Sequence, residues 1–88
     1  MQWRLFADLA EVAGTDEPTP AGDPETVGEA LDALLEAYPA LAERVLDDDG
    51  TLRTHVNLLH EGEPPADGRA TPVDPDDELA LFPPVSGG

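Results

Sequence analysis

The chain has 88 residues, enough for one domain with a small core. Twenty Asp and Glu against four Arg give a net charge of −16, and lysine, isoleucine and cysteine are absent. Disulfides, thiolate metal sites and any thioester or persulfide on the chain's own atoms are therefore excluded, while a field of this sign argues against nucleic acid and anionic membranes as partners.

High net charge opposes collapse and is a mark of disorder. In concentrated salt the Debye length shrinks to about 3 Å and self-repulsion is screened. Acid excess, missing lysine and small aliphatics suit the second case, a folded halophilic protein, and the apolar patterning below favours it. No basic N-terminal region leads into an apolar run, and no apolar stretch is long enough to span a bilayer. A cytoplasmic monomer is the expectation.

Gln2 to Ala7 starts by alternating polar and apolar residues and reads as the opening strand. Asp8 to Ala13 has Leu9, Val12 and Ala13 at helical spacing before Gly14, a single short turn. Thr15 to Pro24 holds Pro18, Pro20 and Pro24 without apolar rhythm. A second strand here would lie at a sheet edge, because proline cannot donate to a ladder.

The main helix has the clearest signature. Thr26 and Glu29 form a capping box, and Val27, Ala30, Leu31, Leu34, Leu35 and Tyr38 make one apolar stripe. Pro39 ends this helix and opens a short second one through Leu41, Val45 and Leu46. Asp47 to Gly50 is a turn. Thr51 to His60 alternates as a strand, and Arg69 to Val73 leaves room for a further short one. Glu78 to Phe82 is the last strand, with Leu79 and Leu81 pointing one way, and Pro83 and Pro84 end it. One long helix covering one face of a mixed sheet of four to five strands is an α+β fold of the β-grasp kind. The division is a domain over 1–82 and an extended tail over 83–88.

Most chemical constellations fail. No Ser, His and acid are arranged for acyl transfer, and no glycine-rich loop leads to a lysine. Asp47-Asp48-Asp49-Gly50 does not fit a calcium loop, since the first and twelfth ligands would be Val45 and Val56. His55 and His60 would face opposite sides of a strand and cannot share a metal. No catalytic or metal-binding residue is expected, and no bound cofactor.

The C-terminus is different. Pro83 and Pro84 hold the chain extended, then Val85 and Ser86 lead to Gly87 and Gly88, which carry no side chains. A narrow enzyme channel reaching for the Gly88 carboxylate needs that shape. A frayed end is the bland alternative.

Glu78 to Gly88, reading ELALFPPVSGG, resembles the C-terminal signature of the MoaD/ThiS-like sulfur carriers. Gln2 to Gly14, Thr26 to Leu34 and His55-Val56-Asn57 are similar to the haloarchaeal ubiquitin-like small archaeal modifier proteins. The resemblance implies the ubiquitin-like β-grasp fold and an E1-like adenylating partner that uses ATP and Mg²⁺. It implies two fates for Gly88. One is a thiocarboxylate, which donates sulfur for molybdopterin synthesis beside the large subunit of molybdopterin synthase. The other is an isopeptide bond to lysines of target proteins. The prolines within Thr15 to Pro20 depart from the family, where a strand is usual. The family also docks through an apolar patch beside the tail's root, for which Phe82, Leu59, His60 and Phe6 are the candidates. Phe6 and Phe82 as plain core is the competing reading, and Trp3 fits either. A passive acidic interaction domain with an inert tail is the alternative function.

Overall fold

The computed structural model describes residues 2–53 and 56–83. Strand β1 (Gln2–Leu5) follows its sequence alternation, with Trp3 and Leu5 buried and Gln2 and Arg4 exposed. Ala7 then turns the chain into α1 (Asp8–Ala13), which Gly14 stops in the left-handed conformation at φ 81°. The single turn expected here is thus a six-residue helix, anchored by buried Leu9.

The segment 15–24 is not a strand. One backbone bond, Leu5 N–H to the Asp16 carbonyl at 2.9 Å, ties it to the outer edge of β1. Buried Pro18 lies in this segment. With prolines at 18, 20 and 24 there are too few N–H donors to continue a ladder.

Helix α2 (Val27–Ala37) starts as the sequence dictates. The Thr26 hydroxyl accepts from the Glu29 N–H at 3.2 Å, a cap worth about 1 kcal/mol. The Glu29 carboxylate reaches back to the Glu25 N–H rather than to that of Thr26. Val27, Ala30, Leu31, Leu34 and Leu35 are buried along its inner face, each large side chain contributing about 1.5–3 kcal/mol of burial. Pro39 opens α3 (Pro39–Val45), which buries Leu41 and Val45.

Strand β2 (Asn57–His60) is shorter than the alternation from Thr51 suggests. Leu52 makes only an isolated bridge to Leu46, and Thr54 and His55 lie outside the described residues. A tight turn follows, in which Glu61 and Gly62 both have positive φ and His60 and Glu63 exchange both backbone bonds. This is the type I′ geometry that matches strand twist. Pro64 and Pro65 then prevent the returning chain from pairing further. Instead of a strand at 69–73 there is a 3₁₀ turn (Gly68–Ala70) and one bridge between Thr26 and Pro72.

Strand β3 (Glu78–Phe82) lies between the other two, parallel to β1 and antiparallel to β2. The described residues therefore form a three-stranded sheet, not four to five strands. Its inner face, Trp3, Leu5, Leu58, Leu79 and Leu81, packs with the apolar sides of the helices into one core. A helix grasped across a mixed sheet, with the first and last strands as parallel neighbours, is the β-grasp arrangement. No helix among the described residues is long and apolar enough to cross a membrane.

Candidate functional site

The middle strand carries the chain out of the core. Successive side chains on a strand point to opposite faces, so the register divides the sheet cleanly. Leu58 and Leu5 flank Leu81 on the inner face, and Leu59 and Arg4 flank Ala80 on the outer face. Phe82, opposite Asn57, continues the outer row.

Phe6 completes that row from the other side. Its ring stacks on Phe82 with centroids 4.3 Å apart and planes within 13°. At 37% exposure Phe6 is the exposed large hydrophobic residue of the described chain, and Phe82 is half-buried. Neither is plain core, whereas Trp3 is fully inside. Ala7 adopts φ 54° and ψ −131°, a conformation that costs a residue with a side chain about 1–3 kcal/mol. That bend leaves Phe6 over the open sheet while Leu9, three residues on, enters the core.

His60 stands apart from this group. The register sets it opposite Leu79, on the inner side, away from Leu59 and Phe82. Its imidazole lies 2.7 Å from an Asp77 carboxylate oxygen, both side chains being largely buried. The same carboxylate oxygen accepts the Asp74 N–H at 2.9 Å. The hydrogen bond from His60, then that from Asp74, holds the Asp77 carboxyl below the usual aspartate range. The acidic turn is also internally satisfied. Asp49 accepts from the Thr51 hydroxyl and N–H, which lowers its carboxyl likewise.

At the root of the tail, Pro83 borders a groove of about 270 Å³ with Asp8, Leu9, Glu43, Arg44 and Arg53. Arg44 pairs with Asp8 at 3.1 Å and Arg53 with Asp47 at 3.7 Å. Pro84, Val85, Ser86, Gly87 and Gly88 lie outside the described residues. Sequence reasoning missed Ala7, Asp77 and the two arginines beside Pro83. A positive φ at alanine leaves no sequence signal, and a hydrogen bond across 17 residues leaves none either.

Sheet topology and outward-facing aromatic rim together define a ubiquitin-like β-grasp domain. Residues 3–88 match the sequence profile of the ThiS family, and the chain belongs to that family. It is similar to small archaeal modifier protein 1 of Haloferax volcanii, 58% identical over 89 residues covering 100% of both chains. It is also similar to the molybdopterin synthase sulfur carrier subunit of Escherichia coli, 37% identical over 88 residues covering 96% of this chain and 94% of the other. The crystal structure of SAMP1 from Haloferax volcanii superimposes with a TM-score of 0.89 at 55% identity, over 100% of this chain and 98% of that one.

Proposed function

We propose that this chain is a ubiquitin-like protein modifier and sulfur carrier, activated at the carboxylate of Gly88 by an E1-like adenylating enzyme. The observation that carries this reading is the course of β3. That strand is buried at Leu79 and Leu81 and ends at Phe82 and Pro83. The chain thus leaves the sheet beside the Phe6–Phe82 stack, which suits a partner that grips the domain there and takes the tail into its active site. The family relatives named above, a modifier and a sulfur carrier, support both uses.

A carboxylate is a poor acylating agent, because its leaving group would be oxide. Attack of a Gly88 oxygen on the α-phosphate of ATP, with loss of pyrophosphate, gives an acyl adenylate whose leaving group is AMP. Sulfur delivered at the hydrosulfide level then gives a thiocarboxylate, the donor for molybdopterin synthesis beside the synthase large subunit. A lysine amine of a target protein gives an isopeptide instead. ATP, Mg²⁺ and catalytic cysteines belong to the partner, and this chain is substrate rather than enzyme. Its own residues dock and thread: Phe82, Phe6 and Leu59 form the contact face, the His60–Asp77 pair braces the far end of the sheet, and Pro83, Pro84, Val85 and Ser86 lead Gly87 and Gly88 into a channel that a Cβ would block.

Deletion of Gly87 and Gly88 tests this. In cells, intact-mass measurement of the full chain should show the replacement of one terminal oxygen by sulfur, and digests should show Gly-Gly remnants on target lysines. Both should vanish on deletion. Partners retained after deletion, with neither product ever seen from the full chain, would instead establish the passive acidic domain.

A further inference from the structure

All four cations of the chain are arginines, and there is no lysine. Each arginine is engaged by carboxylate: Arg4 with Glu17 and Glu78, Arg44 with Asp8, Arg53 with Asp47, and Arg69 with Asp32. A guanidinium stays protonated at all working pH values and is no acyl acceptor, whereas a lysine releases its proton in small part and is.

This matters once Gly88 is activated. The six residues after Phe82 span about 20 Å when extended, close to the 25 Å shorter dimensions of the fold. An acyl group on that tether would meet any amine on the near surface at an effective concentration of roughly millimolar. Arg44 and Arg53 border the groove at Pro83, so the cations nearest the tail's root are ones that cannot be acylated.

Resting on the function proposed above, we infer that the lysine-free surface leaves the side chains of this chain inert toward its own activated tail. As a tag it is attached singly and accepts no second copy on a side chain. The reaction that is avoided is ordinary aminolysis. An amine nitrogen bonds to the Gly88 carbonyl carbon, the bond to the leaving group breaks, and the proton passes to solvent. No side chain here offers the nitrogen.

The test needs no activating enzyme. The full chain is prepared as a C-terminal mercaptoethanesulfonate thioester by intein cleavage and held at mildly alkaline pH. The wild-type protein should give no amide that maps to a side chain. Arg44→Lys and Arg53→Lys, conservative changes at exposed positions whose folding is checked by circular dichroism, should give a product with the mass of the free acid less one water. Its peptide map should join Gly88 to the introduced amine, with amide accumulating at least about tenfold faster than in wild type. Wild-type amide mapped to a side chain, whether cyclic or between copies, would overturn the inference, as would variants that form no more side-chain amide than wild type. The deletion experiment above judges the functional reading separately, so failure of one is distinguishable from failure of the other.

Discussion

Phe6 and Phe82 stack face to face, 4.3 Å between centroids, and so join the end of β1 to the end of β3 at the point where the chain leaves the sheet. Such a pair contributes about 0.5–1.5 kcal/mol beyond its buried area. With Phe6 37% exposed, the stack supports the fold from outside its core. Phe6→Ala and Phe82→Ala should each lower stability by about 1–2 kcal/mol in urea titrations. Each should also raise the KM for the carrier in adenylation by the partner enzyme about tenfold, as loss of an aromatic anchor does, with kcat unchanged. Phe82→Leu should recover part of the KM. A kcat effect without a KM effect would contradict the docking role.

Gly28 on α2 lies directly beneath Arg69. A Cβ at this position would come within 3.0 Å of the Arg69 Cβ and Nε and 3.1 Å of its carbonyl oxygen. Alanine gains about 1 kcal/mol of helix propensity over glycine, but overpacking costs about 1–3 kcal/mol. The Arg69 Cβ and carbonyl cannot move aside as a flexible guanidinium can. Gly28→Ala should therefore be net destabilising by about 1 kcal/mol in chemical denaturation.

Asp77 gives the fold a pH dependence with a definite sign. Its folded-state carboxyl is depressed by hydrogen bonds from His60 and the Asp74 N–H. The stability it contributes is thus fully present above the ordinary aspartate value, about 4, and is lost as pH falls below it. Urea midpoints of the wild type and Asp77→Ala, compared from pH 7 down to pH 3, should converge as pH drops below about 4. Comparison with the variant is essential, because protonating other carboxylates relieves repulsion in both proteins alike.

Charge should govern thermal stability. The net charge is −16, and every arginine is engaged in exposed pairs that contribute little in water. Raising KCl from 0.1 to 1 M shortens the Debye length from about 10 to 3 Å. The melting temperature should rise by at least about 5 °C, corresponding to roughly 1 kcal/mol for a domain of this size. A flat or falling melting temperature would show that self-repulsion does not limit the fold.

Local chemistry determined much of this protein. The Thr26 cap, the apolar stripe from Val27 to Leu35, the Pro39 break and the alternation of β1 and β3 are each encoded within a few residues, because helix and strand periods and orphan backbone donors are local properties. Glycine and proline at the C-terminus, together with the missing lysine, are likewise plain from the chain itself.

The strand count was not. Prolines at 18, 20, 64 and 65 withdraw donors that only a folded neighbour would have used, so their cost becomes visible once the β1 edge and the β2 turn exist. Register decided the rest. One residue of parity sets Leu59 on the outer face with Phe82 and turns His60 inward to Asp77, and no local signal fixes that parity, since it depends on which strand lies alongside.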